Sequence, residues 1–208
     1  MLGAISDISR YGRRREDRYA LLRGDARVLL PSVGEQDVAV FSPPYPNSFD
    51  YTDVYNVELW LLGYFRNGES NRSLRGKTLR SHVQIKRSYA VSLDMPQSLK
   101  STYSELVKHR EALWSRYIPE MVVSYFDDMA NVLKGVSKPL RKRGRIYCVV
   151  GDSQYAGVAI PVAKILKQLV CSTALKLVYS EQFRSMRVSP QQGGREELPE
   201  TLLVFEKG

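Results

Sequence analysis

Residues Ser42-Pro43-Pro44-Tyr45 set a hydroxyl, two proline carbonyls and an aromatic ring in consecutive positions, directly after the run Asp37 to Phe41. Prolines fix φ and remove backbone donors, so such a turn is stiff and its carbonyls remain free to accept. A rigid carbonyl beside a hydroxyl, with an aromatic face adjacent, is what an exocyclic amino group on a flat base needs. The Ser42 hydroxyl and the Pro43 carbonyl can accept both N–H hydrogens, while Tyr45 stacks on the ring. A base reaches such a pocket only when flipped from the duplex or already single-stranded.

The elements around this turn follow from apolar pattern and punctuation. "RYALLRGDARVLL" contains a short apolar run, Tyr19 to Leu22, read as a first strand and stopped by Gly24-Asp25. Asp37 to Phe41 reads as a second strand, ended by the prolines. Short, fully apolar strands suit a parallel sheet covered on both faces. Thr52 or Asp53 can cap a helix whose one face carries Val54, Val57, Leu61 and Phe65. Residues 66–98 are basic and without clear period, which suggests a long functional loop or small insertion. Leu99 to Tyr117 reads as a helix, and Pro119 opens another with Val122, Tyr125, Met129 and Leu133 on one face. "GRIYCVVGDS" supplies a strand over 145–150, and Pro161 opens a helix carrying Val162, Ile165, Leu166 and Leu169. "ALKLVYSEQF" and "ETLLVFEK" supply two last strands with no helix between them, hence a terminal antiparallel pair. The order predicts an α/β fold whose sheet is mostly parallel.

Charge narrows the partner. The net charge is +9, and it is clustered. Arg66 to Arg87 holds seven basic side chains against the single acid Glu69, and Lys134 to Arg145 holds six with no acid. Residues 1–18 form a polar, arginine-rich arm, with five basic residues against two acids between Arg10 and Arg18. Such stripes suit phosphate backbones, though a solvated face or a contact with an acidic protein accounts for them equally well. No apolar run approaches the roughly 18 residues of a bilayer span, and no secretory signal follows Met1, so a cytoplasmic location is expected. Cys148 and Cys171 indicate neither a disulfide framework nor a zinc site, and two buried, reduced thiols are expected. His82 and His109 stand alone on polar stretches and suggest no chemistry.

The SPPY turn resembles the catalytic motif of amino-group DNA methyltransferases, which move a methyl group from S-adenosylmethionine to cytosine N4 or adenine N6. "GDARVLL…DVAVFSPPYPNSFDYTDVYNVELWLLG" is similar to a run in one subgroup of bacterial modification methylases, and the later strand segments are similar to that subgroup's core strands. The resemblance covers about four-fifths of the chain. It implies that Ser42, Pro43, Pro44 and Tyr45 hold the target amino group, and that Asp25, Phe41 and Ser42 contact the cofactor. A turn acid or helix cap is an equal reading of Asp25. Asn47, Asp50 and Tyr51 would shape the pocket rim, or serve as ordinary turn residues. Asn47, Arg72, Arg75, Lys77 and Arg80 would contact DNA. The leading serine leans towards cytosine N4. The family's glycine-rich cofactor loop is not found in these residues, and the first two strands of the Rossmann-like sheet would be missing. The chain therefore resembles a partial catalytic domain over 19–208, with a basic insertion at about 66–98. It would be completed by a second chain that carries the loop, as in a split, heterodimeric enzyme, or be the C-terminal part of a longer one. The other reading is a non-catalytic nucleic-acid-binding subunit derived from a methyltransferase.

Overall fold

The computed structural model describes residues 2–11, 19–171, 173–187 and 197–208. Helix α1 (Leu2–Tyr11) and the short α2 (Ala26–Leu29) precede strand β1 (Gln36–Phe41). After β1 come α3 (Tyr51–Val54), α4 (Asn56–Leu61), α5 (Gly68–Lys77), α6 (Gln97–Lys108) and α7 (Ile118–Ser137). The chain then runs through β2 (Leu140–Gly151), β3 (Ser153–Tyr155), β4 (Val158–Ile160), α8 (Val162–Val170), β5 (Leu175–Arg187) and β6 (Glu197–Lys207). No helix among the described residues is long and apolar enough to cross a membrane.

Four strands form one mixed sheet in the order β1-β2-β6-β5. β1 runs parallel to β2, whereas β6 is antiparallel to both β2 and β5. Three strands thus point one way and β6 runs against them, so the terminal antiparallel pair holds and the sheet is mixed rather than mostly parallel. Two of the three pairings are antiparallel. Strand alternation sorts the side chains: Ile146, Cys148, Val150, Leu203 and Phe205 turn to one face and are buried there beneath α7 and α8. Pro119 lies in the first turn of α7, and Val122, Tyr125, Met129 and Leu133 recur at helical spacing to form the core-facing stripe. Val162, Ile165, Leu166 and Leu169 do the same for α8. Each such side chain, fully buried, contributes about 1.5–3 kcal/mol.

The expected cover on both faces is not seen. Val38 and Val40, pointing away from α7, are exposed, and Tyr147, Val149 and Leu202 on the same face are only half-buried. Among the described residues β1 pairs on one side alone, so its other edge is free.

Other expectations are corrected. Tyr19 to Leu22 is not a strand but irregular chain with Tyr19, Leu21 and Leu22 exposed, since among the described residues no neighbouring strand pairs it. The helix foreseen after Tyr51 is two short ones, interrupted at Tyr55 (φ −98°, ψ 25°) and capped by Asp50 rather than Thr52 or Asp53. Val54, Val57 and Leu61 are exposed and Phe65 alone of that set is buried. Within the basic insertion α5 forms, started by a reciprocal Asn67–Ser70 capping box. The helix expected to reach Tyr117 ends at Lys108, and the β3–β4 hairpin was not foreseen. Cys148 is buried, and burial pushes its thiol up to about 12, but Cys171 is exposed. Residues 2–11 of the basic arm are helical, and residues 12–18 lie outside the described residues.

Candidate active site

Parallel strands bring their carboxyl ends together, and this sheet uses that end. β1 finishes at Phe41 beside Cys148 of β2, so the SPPY turn emerges next to Gly151 at the end of β2. Register then carries two distant residues to the same place: Gly151 faces Glu200 on β6, and Glu200 faces Arg184 on β5.

Tyr45 joins these groups. Its half-buried hydroxyl lies 3.2 Å from Ser42 Oγ and donates to the carboxylate of Glu200. Glu200 is buried and is in turn held by the Arg184 guanidinium. Burial, then the bond to Glu200, pushes the Tyr45 phenol up to about 12. The guanidinium of Arg184 holds the Glu200 carboxyl below its ordinary value. The two directions agree: at neutral pH the phenol keeps its proton and the carboxylate accepts it in a hydrogen bond. Close packing sets the ring's position, because a Cβ built on Gly151 would fall 2.7 Å from Tyr45 Cε2 and 2.1 Å from Met186 Cε. Pro43 is buried and Pro44 half-buried, whereas Ser42 is exposed.

The loop beyond the turn is braced from below. Asn47 Oδ1 accepts the Phe49 N–H at 3.1 Å, an Asx turn. Ser48 sits in the left-handed region at φ 60°. It is kept there by its Oγ at 2.8 Å from the buried Tyr155 hydroxyl, by its N–H donating to Ser81 O at 3.0 Å, and by Gln84 donating to its carbonyl. Asp50, also buried, accepts from Thr52 N at 3.0 Å and takes Arg75 Nε and Nη2 at 2.9 and 2.5 Å. Although burial acts to raise the Asp50 carboxyl, Thr52 and Arg75 outweigh it and hold the value low.

The structure separates the sequence-predicted basic residues into two pairs. Arg72 and Lys77 are exposed on α5. Arg75 is committed to Asp50, and Arg80 to Asp127 and Asp128 of α7 at 2.7 and 2.9 Å. Arg75 and Arg80 are therefore not free surface cations, because each neutralises a buried acid.

Phe41, Ser42 and Pro43 line, together with Asp25, a large open apolar groove of about 1360 Å³ along the free edge of β1. Asp25 caps α2, accepting the Arg27 N–H at 2.9 Å. Its two oxygens also take Arg27 Nε at 3.0 and 3.2 Å and Nη2 at 2.7 Å. A carboxylate offers about four acceptor sites, so Arg27 fills Asp25 as it stands. Glu200, Arg184 and Gly151 escaped the sequence reading. The only signal pointing to any of them was the Gly151-Asp152 that stops a strand.

No family model matches this chain. It is 30% identical to the Type II methyltransferase M.AvaI of Nostoc sp. and of Anabaena variabilis over 172 residues, 76% of this chain and 35% of theirs. It is 27% identical to the Type II methyltransferase M.BsoBI of Geobacillus stearothermophilus, over 92% of this chain and 43% of that one. Over these spans the chain is similar to part of these Type II methyltransferases. It spans roughly two-fifths of the length of these relatives or less. Among solved structures, a DNA modification methylase of Thermus thermophilus gives a loose likeness, TM-score 0.39 at 15% identity, over 88% of this chain and 50% of that one.

Proposed function

We propose that this chain is the catalytic portion of a site-specific DNA methyltransferase. It acts on the exocyclic amino group of a flipped base, with cytosine N4 favoured over adenine N6. One observation carries the reading: Ser42 Oγ and the Tyr45 hydroxyl meet at the carboxyl end of β1, on a buried, ionised Glu200. Open α/β sheets bind ligands at that end. Relatedness to Type II methyltransferases supports the same class.

In this reading Ser42 Oγ and the Pro43 carbonyl accept the two amino hydrogens. That turns the nitrogen lone pair out of conjugation with the ring, and the Tyr45 ring stacks against the base. Orientation and fixed dipoles supply the catalysis, with no covalent intermediate on the protein. S-adenosylmethionine would supply the methyl group. Phe41, Ser42 and Pro43 fit the flat end of that molecule, since they wall an apolar groove. Asp25 fits it only after Arg27 turns aside. The amino-acid end would be held by the glycine-rich loop, on a second chain or on another part of the same protein, which completes a partial Rossmann-like sheet. Residues 19–208 then form one catalytic domain, in a cytoplasmic protein, and Asn47, Arg72 and Lys77 face DNA. The second reading, a nucleic-acid-binding subunit without catalysis, is favoured by the saturation of Asp25 by Arg27.

The test is transfer of labelled methyl to DNA by the completed enzyme, followed by nucleoside analysis for N4-methylcytosine against N6-methyladenine. Tyr45→Ala should lower turnover and flipped-base affinity together by about 1–3 kcal/mol, the worth of one stacked base. Ser42→Ala should cost one hydrogen bond, about 0.5–1.5 kcal/mol, while the carbonyl remains. Undiminished transfer by Tyr45→Ala would sink the site. Absence of any transfer with DNA binding intact would leave the second reading.

A further inference from the structure

Three aromatic side chains next to the SPPY turn have no part in the site described above. Phe49, Tyr51 and Tyr55 are 40%, 45% and 50% exposed. Phe49 meets Tyr51 edge-on at 4.8 Å between ring centroids, and Tyr51 lies nearly parallel to Tyr55, at 6.2 Å and 13°. Tyr51 also lies within electrostatic reach of Tyr45. A row of large rings left in water is costly unless something covers it.

The backbone under the row is braced. Ser48 and Asp50, on either side of Phe49, are both buried and bonded to the body of the protein. Asp50 caps the helix that carries Tyr51, and the Tyr55 N–H closes onto Tyr51 O at 3.0 Å. The backbone that carries the rings is thus held in place before any ligand arrives. Charge selects the occupant: α5 packs beside α3 and carries the exposed Arg72 and Lys77, within a segment of seven basic residues and one acid. Exposed rings on one segment, with cations on the helix packed beside it, match nucleobases on a phosphate backbone, although the exposed Asp53 lies among the rings.

We infer that Phe49, Tyr51 and Tyr55 form a stacking step for the bases that flank the flipped nucleotide. The step keeps the unpaired strand open while the target base occupies the Tyr45 pocket. It rests on the reading of the chain as a nucleic-acid enzyme but adds residues and a ligand that the reading does not require. Stacking is sequence-tolerant, so this surface holds the strand without reading it.

The test is fluorescence anisotropy of a short labelled oligothymidylate with the full chain and with Tyr51→Leu, Tyr55→Leu and Tyr51→Trp. The leucine variants should bind about 5- to 100-fold more weakly, with the slope of log affinity against log salt unchanged, since no charge is removed. Tyr51→Trp should bind at least as well as the parent. Leucine variants that bind like the parent would overturn the inference. So would failure of the parent to bind the strand at low salt, or a loss confined to association with another protein. Its failure is separable from failure of the methyltransferase reading: normal binding by Tyr51→Leu alongside lost transfer by Tyr45→Ala removes the step and keeps the enzyme. Weakened binding in a completed complex that never transfers methyl does the reverse.

Discussion

Tyr45 is fixed from three sides: by Ser42, by the Glu200 carboxylate, and by the backbone of Gly151 against its ring edge. The glycine is required for close approach and not for its dihedrals. Gly151→Ala would place a methyl 2.7 Å from the ring, and Met186, the other neighbour, is a flexible side chain that can move away. The ring cannot move without leaving Ser42 and Glu200. Overpacking of this kind costs about 1–3 kcal/mol of stability. The sharper expectation is that methyl transfer falls more than melting temperature does, and that a further Met186→Ala does not restore it. Thermal melts run beside single-turnover transfer would decide this. The same residues show what was legible in sequence. Ser42 to Tyr45 could be read because their chemistry is local, four consecutive side chains on a stiff turn. Glu200 lies 155 positions from Tyr45, and only the register of β2, β6 and β5 brings Glu200 and Arg184 to it. No spacing rule reports a register that depends on how antiparallel strands pair.

At the scale of elements, the basic insertion divides into a surface and a brace. Arg80 closes on Asp127 and Asp128, and Arg75 on Asp50. Removing one partner of a buried pair strands the other's charge, so Arg80→Ala should cost about 3–5 kcal/mol in denaturant melts. Arg72→Ala with Lys77→Ala should instead leave stability unchanged and lower the salt slope of DNA binding by about 0.9 per lost phosphate contact. An unaltered slope would return those two side chains to plain solvation. The brace also titrates. His82 is buried, and its Nε2 lies 3.1 Å from Arg87 Nη2, so Nε2 accepts and the ring proton sits on Nδ1, towards Asp50 Oδ2 at 3.7 Å. Burial is the chief cause that lowers the His82 pKa, and Arg87 adds to it. A depressed histidine contributes stability that is full above its unfolded value of about 6.5 and is lost as pH falls through the folded value. Melting temperature should therefore decline below about pH 6.5, and the decline should be shallower in His82→Gln. A parent curve that is flat between pH 7 and 5 would show that folding leaves the ring's titration unshifted. Net charge in this segment was plain from sequence. Which arginines are internal was not, because buried pairing depends on the placement of α7 acids far along the chain.

The molecule as a whole has one finished side. α7 and α8 cover one sheet face, with α6 packed against both, while Val38 and the 74%-exposed Val40 line the other, beside the apolar groove and a β1 edge that no described residue pairs. Sequence reading foresaw cover on both faces because Asp37 to Phe41 is nearly all apolar. Among the described residues, however, none covers Val38 or Val40. An unpaired edge with exposed valines is a template for a further strand, and a groove of this size exceeds what one small ligand fills. Under the proposed function, the segment that pairs with β1 also brings the glycine-rich loop, so closing the sheet and building the cofactor site are one event. Two measurements on the chain alone follow from this. Calorimetry should show S-adenosylmethionine binding weakly or not at all, since only the Phe41–Ser42 wall is present. Sedimentation should show self-association through the open edge, and Val40→Lys should suppress it. Lysine at an edge blocks strand addition, and a surface site of this exposure should change stability by no more than about 0.5 kcal/mol. Adding back the completing segment should then restore cofactor binding to the parent and restore it less well to Val40→Lys. Tight one-to-one cofactor binding by the monomeric chain would mean that the groove is complete and that β1 is an ordinary edge.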